Sequence, residues 1–311
     1  MKKVLIIGLG IFAALLAILY TGASWYFSTI LVAGNVKAVT ADEIAQAEAD
    51  LAPAGIPLPE EVTIAADDVS LAGYFYDNPA DAGCGMVILH GYSSIAYDMA
   101  SFVPMFWNLG CEVITYDARG HGNSDEAYHT FGYYERQDAS AVVDWLIAET
   151  GVAADHIGLL GVSYGAATSL QTLAERSDLA FVVADSSYQD YYTIVAYQGE
   201  AQYGSWLKPL IFGATNLAEW RAGFELDDVS PKDTIVGSPT PVLLIHALED
   251  TYTFASHSET IYANADHGRT QLEITDWGNG HGASHSTQPE QYEAIVYEFM
   301  DQYAPQFFSV R

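Results

Sequence analysis

Apolar and polar positions divide the chain into three regimes. From Val4 to Val36 no charged residue occurs; the densest apolar run, VLIIGLGIFAALLAILY (Val4 to Tyr20), continues through Thr21-Gly22-Ala23-Ser24 into WYFSTILVA. A membrane helix needs ~20 apolar residues to cross ~30 Å of hydrocarbon. Residues 1–36 therefore predict a transmembrane anchor, with Trp25 and Tyr26 at the interface. Lys2 and Lys3 predict a cytoplasmic N-terminus and an extracytoplasmic remainder in a single-pass cell-membrane protein. The alternative is a signal peptide cleaved at Thr21-Gly22-Ala23, which would make a secreted protein, although the run exceeds the usual core of ~7–15 residues. The absence of a polar face argues against a buried core helix.

Residues 37–60 predict a linker: a short helix from Asp42 to Leu51, then the helix-breaking PAGIPLP at 53–59. Residues 61–311 predict the folded domain. Val62 to Ala66 and Leu71 to Tyr76 pair as a hairpin. Short apolar runs then alternate with helical spacing. The runs are MVILH from Met86, EVITYD from Glu112, IGLLG from Ile157, FVVAD from Phe181, VLLIH from Val242, and Gln271 to Thr275. Helices are predicted over 100–109, 133–149, 164–175, 256–264 and 288–302. This alternation predicts a mostly parallel sheet with helices on both faces. Residues 188–239 break it and are rich in aromatics, among them Tyr191, Tyr197, Trp206, Phe212 and Trp220. They predict a helical lid, or simply a longer crossover.

Half of the 311 residues are hydrophobic, which suffices for one sizeable core. With 11 Lys+Arg against 40 Asp+Glu, the net charge of -29 argues against nucleic acid as a partner. The acidity begins only at Asp42. It fits solubility through self-repulsion; adaptation to high salt or high pH is the alternative. Two cysteines do not make a four-ligand zinc site, and no H-E-x-x-H, phosphate-loop or dinucleotide fingerprint occurs. No metal and no cofactor is expected.

Gly161-Val162-Ser163-Tyr164-Gly165 is G-x-S-x-G between a strand and a helix, the context of a nucleophile elbow. A Gly-rich turn with an incidental serine is the alternative. A serine hydroxyl needs a base to take its proton. His281, in GNGHG just beyond the last strand, is the candidate, and His285 competes. The base needs a carboxylate. Asp250 ends VLLIHALED, with Glu249 and Asp185 as substitutes. The oxyanion needs two donors: the backbone N–H groups of Tyr92, after MVILH, and Tyr164, after the serine. Asp117, Arg119 and His121 are read as a hydrogen-bonded turn or a wall of the site. Glu135 and Asp138 are read as helix bracing.

HGYSS at 90–94, DARGHGNS at 117–124, GYYERQD at 132–138, GVSYGA at 161–166, HALED at 246–250 and GNGHGASH at 278–285 carry a resemblance. The chain resembles bacterial-type α/β-hydrolases with an N-terminal anchor, related to serine aminopeptidase-like and lipase-like hydrolases. The resemblance implies an α/β-hydrolase fold, a mostly parallel sheet flanked by helices with a small helical lid. Ala247 departs from the family's usual Gly, and Thr251 to Phe254 from its common Val-Pro pair. In such a fold the strands after Cys84 and Cys111 are parallel neighbours, so these cysteines are expected to form a disulfide outside the cell, the alternative being two buried thiols. The expected reaction is hydrolysis of a carboxylic ester through an acyl-enzyme on Ser163. A peptidase, amidase or acyltransferase using the same residues, or a non-catalytic binding protein, are the alternatives. The expected partners are a small ester or peptide substrate and the membrane.

Overall fold

The computed structural model describes residues 2–33, 37–80 and 82–308. The expected anchor boundary at residue 36 lies outside the described residues. Among those described, eight strands form one sheet: β1 (Glu60–Ala65), β2 (Ser70–Tyr76), β3 (Gly85–Leu89), β4 (Glu112–Tyr116), β5 (Ile157–Val162), β6 (Phe181–Asp185), β7 (Val242–Ala247) and β8 (Thr270–Thr275). The order is β1-β2-β4-β3-β5-β6-β7-β8. The first hairpin, β1 and β2, is antiparallel to its neighbours, and β4, β3 and β5 to β8 run parallel. This is an α/β-hydrolase architecture.

The helices are α1 (Lys2–Ala33), α2 (Ala41–Leu51), α3 (Val103–Trp107), α4 (Glu135–Thr150), α5 (Tyr164–Thr172), α6 (Tyr191–Tyr203), α7 (Lys208–Ala222), α8 (Pro231–Thr234), α9 (Ser256–Asn264), α10 (Ser284–Thr287) and α11 (Pro289–Tyr303). The strand period of two sorts the sheet's side chains. Met86, Ile88, Val113 and Ile245 pack on one face with Phe299 of α11. Val87, Leu89, Ile114 and Leu244 pack on the other with Val142 of α4 and Leu170 of α5. Strands β3, β4, β6 and β7 are buried throughout, which is why they read as continuous apolar runs.

Residues 37–60 are not a free linker. Ala47 and Leu51 of α2, with Ile56, are buried in the domain's core. The apolar side of a short helix stabilises the fold more docked than solvated. Lys37 closes the segment by donating to Asp98 at 2.7 and 2.9 Å. Strand β1 accordingly begins at Glu60. The helix expected over 100–109 is instead a 3-10 helix, Ala96–Phe102, followed by α3. It starts early because Asp98 accepts the N–H of Ile95 and Asp117 accepts that of Ala96. The helix expected to reach residue 175 ends at Thr172, where its last bonds tighten to the i−3 carbonyls.

Helix α1 has two halves. It is exposed from Lys2 to Gly22, and its long apolar run fits a membrane anchor or a signal sequence. From Ser24 onward it docks against α7. A Cβ on Gly213 would collide with Ser24 and Tyr20. Arg221 donates to Ser28 Oγ at 2.8 Å and Thr29 Oγ1 at 2.7 Å, with its guanidinium 4.4 Å from the Trp25 ring centroid. A helix end leaves its last carbonyls without partners. Here Tyr92 O–H donates to Ile30 O at 3.3 Å and His129 N–H to Val32 O at 2.8 Å.

Gly85 pairs with Glu112 across β3 and β4, so Cys84 and Cys111 face each other with Cα atoms 4.7 Å apart, joined as a disulfide. The bridge spans 27 residues. Loop closure of that length contributes about 3.5 kcal/mol. Cys84→Ala/Cys111→Ala should lower unfolding stability by about that much in urea titrations. An unchanged midpoint would show that the bridge does not constrain the unfolded chain.

Candidate active site

Strand β5 turns into α5 at Ser163, whose φ of 57° and ψ of -112° lie outside the ordinary regions for a residue with a side chain. The flanking glycines make the turn possible. A Cβ on Gly161 would collide with the Gly165 backbone, and one on Gly165 with the carbonyls of Leu89 and His90. The strain is held by the surrounding ladder, including the Ser163 N–H bond to Asp185 O at 2.7 Å. The serine thus stands at the carboxyl end of the parallel strands, where open α/β sheets form their crevices.

The loops after β7 and β8 bring two further groups to the same end. His281 Nε2 lies 2.6 Å from Ser163 Oγ, and His281 Nδ1 lies 2.7 Å from Asp250 Oδ2. A carboxylate only accepts, so Nδ1 carries the hydrogen and Nε2 is free to accept from the serine hydroxyl. The relay can therefore draw the proton from Ser163 as its oxygen attacks. Burial raises the pKa of the Asp250 carboxyl. Hydrogen bonds from His246, His281 and the Thr253 N–H outweigh that and hold it well below the ordinary range.

The competing residues sit elsewhere. His285 stacks on Phe102 with ring centroids 4.1 Å apart, makes no hydrogen bond to Ser163 among the described residues, and has its pKa lowered to about 4 by burial. Glu249 is exposed. Asp185 is buried below the elbow, accepting from Ser186 Oγ at 2.9 Å. Asp117 accepts from Tyr74 O–H and from the N–H groups of Ala96 and Asn123. Arg119 forms a buried pair with Asp138 at 2.6 and 2.7 Å. Glu135 accepts from Thr130 and Gly132. These groups brace the turns around the elbow.

Several further residues position the relay. His246 Nε2 donates to Thr253 O at 2.5 Å and lies 3.3 Å from Asp250 Oδ2. The N–H groups of Tyr252 and Thr253 donate to Asp250 Oδ1 at 2.8 and 2.9 Å. The segment that departs from the family's usual Val-Pro pair thus grips the carboxylate. Helix α6 grips that segment in turn: Tyr197 O–H donates to Thr251 O and Gln198 to Tyr252 O. Ala247 packs against Gly278, where a Cβ would collide with it. Ser186 accepts the Gly282 N–H at 3.2 Å and ties down the His281 loop. The HALED motif and the departures at Ala247 and Thr251 to Phe254 mark this loop in the sequence; the contacts of Tyr197, Gln198 and Ser186 carry no such signal.

Tyr164 opens α5, so its N–H belongs to the helix-start donors with no intrahelical partner. Tyr92 follows β3. Both line an apolar pocket with Ser163. A second pocket, with Ser94, Asp98 and Ser286 in its wall, shares Ser163, Tyr92 and Tyr252 with the first. The serine stands where they meet.

Residues 98–306 match the prolyl oligopeptidase family. The chain belongs to that family. It is similar to the uncharacterized protein YqkD of Bacillus subtilis, 33% identical over 230 residues, 72% of this chain and 73% of the relative. It is similar to YfhR of Escherichia coli, 25% identical over 68% of this chain and 70% of that one. Among solved structures it resembles the Pyrococcus furiosus esterase, with TM-score 0.67 and 25% identity over 87% of this chain and 98% of that one. The Pyrococcus horikoshii acylaminoacyl peptidase shares the fold, with TM-score 0.63 and 19% identity over 82% of this chain and 43% of that one. This prolyl oligopeptidase family member is a serine hydrolase of the α/β-hydrolase fold.

Because the Asp250 carboxyl titrates lower in the folded state, its contribution to stability is complete above the unfolded value of ~3.9 and fades as pH falls below it. Urea midpoints of the wild type should therefore fall more steeply below about pH 4 than those of Asp250→Asn. Parallel curves would contradict the placement. The same variant should lose about four orders of magnitude in kcat, because the amide no longer holds the His281 tautomer.

Proposed function

We propose that this chain is a membrane-anchored serine esterase acting outside the cytoplasm. Ser163 Oγ attacks the ester carbonyl while His281 takes its proton. The N–H groups of Tyr92 and Tyr164 stabilise the oxyanion. As the C–O bond breaks, His281 returns the proton to the departing alcohol, leaving an acyl group on Ser163. A water, deprotonated by His281, then releases the acid and restores the serine. Asp250 stabilises the imidazolium in both halves. No cofactor enters. Helices α6 and α7 serve as the lid, and residues 1–36 as the anchor.

The observation that carries the ester reading is the apolar pocket beside Ser163. Among the described residues no charged side chain lines it, so it offers an acyl group an apolar wall and a peptide terminus no counter-ion. The family and the peptidase neighbour favour peptide hydrolysis as the second reading. The second pocket's Asp98 is the available anchor for an amino terminus, but Lys37 and Ser94 already engage it.

The full-length protein in detergent should turn over p-nitrophenyl esters and leave aminoacyl p-nitroanilides nearly untouched. Ser163→Ala should lower ester turnover by about a millionfold. Equal ester turnover in both proteins would remove the relay. Faster anilide than ester turnover would replace the esterase with a peptidase.

A further inference from the structure

The docked half of α1 does more than hold the domain to an anchor. Phe27, Ile30 and Leu31 line the apolar pocket that opens on Ser163, together with Leu207 and Ile211. The pocket wall and the apolar run are thus one continuous helix. The exposed part from Val4 to Gly22 is about 28 Å long at ~1.5 Å per residue, close to the ~30 Å of bilayer hydrocarbon. Ile30 lies only ~12 Å further along the axis. Where α1 leaves the domain, aromatic side chains cluster and face outward. Trp25 is 48% and Tyr26 61% exposed, and Phe212, beside Gly213 on α7, is 68% exposed. Trp206, 6.3 Å from Phe27, is 61% exposed. Amphipathic aromatics at that level match the membrane–water interface. The net charge of -29 repels anionic headgroups.

We propose that the α1-walled pocket takes the hydrocarbon chain of an uncharged or zwitterionic lipid ester delivered from the bilayer, and that Phe27, Ile30 and Leu31 set the preferred chain length. This rests on the esterase reading and names its substrate class. The products are a fatty acid and the alcohol released from Ser163's attack, with one water consumed.

The full-length protein is reconstituted in zwitterionic phosphatidylcholine vesicles, with p-nitrophenyl acetate and decanoate as probes. Ile30→Trp fills the pocket and should lower the decanoate-to-acetate ratio of kcat/KM at least about tenfold. Ile30→Ala enlarges it and should move the preference toward longer chains. A ratio unmoved in both variants overturns the pocket assignment. Delivery is tested with a neutral monoacylglycerol at fixed total amount while vesicle lipid is added. A rate that falls with the ester's mole fraction in the bilayer supports the proposal; a rate that ignores it overturns bilayer delivery. Absence of turnover in the wild type would sink the esterase reading separately. The pocket is then read by fluorescence of parinaric acid bound to Ser163→Ala. Affinity at least about tenfold weaker with Ile30→Trp added supports the pocket, and equal affinity overturns it.

Discussion

The site depends on one close approach of backbone to backbone. Strand β5 passes into α5 so tightly that neither Gly161 nor Gly165 has space for a methyl group. Any larger residue would push α5 off β3 and release Ser163 from its strained conformation. With the turn closed, the serine is fixed relative to two loops that emerge from β7 and β8, and the 2.6 and 2.7 Å contacts of His281 follow. A short relay of this kind is worth little unless its members are held before substrate arrives. That rigidity is distributed. Asp250 is clamped by two N–H groups and by His246, and the clamp itself is pinned by α6.

Helix α1 joins this machinery to the surface it leaves. Its terminal carbonyls are capped by Tyr92 and His129, and Arg221 of α7 ties down Ser28 and Thr29 near its C-terminal end. Tyr92 therefore stands between the end of α1 and the nucleophile, bonding one through its phenol while lining the pocket of the other. A cut at Thr21-Gly22-Ala23 would leave the docked half in place, whereas removal of residues 1–36 would take away a wall of the pocket. The apolar helix and a wall of the pocket beside Ser163 are one continuous element.

Much of this was legible in the sequence because the signals were local. Buried strands such as MVILH and VLLIH are continuous apolar runs, the elbow is a pentapeptide, and His281 sits among glycines directly after a strand. Asp250 was separable from Glu249 only by its place in the loop, and the structure separates them by burial. What remained hidden is nonlocal. Composition marks α1 as apolar but does not say which of its residues face α7, since Ser24, Ser28 and Thr29 read as interruptions of a membrane run and serve as docking contacts. Residues 37–60 looked like a linker because prolines break helices, yet Ala47, Leu51 and Ile56, with Val39, Ile44 and Ala54 packed beside them, seat the segment on the core. The grip of Tyr252 and Thr253 on Asp250 is made by backbone N–H groups, which no residue type announces.

The central claim is that Ser163, His281 and Asp250 act as one relay. The most direct measurement is the rate and position of covalent labelling by a fluorophosphonate. One label per chain is expected, mapped to Ser163 by peptide mass, with a labelling rate that collapses in His281→Ala. A label on another residue, or the same rate without His281, would contradict it.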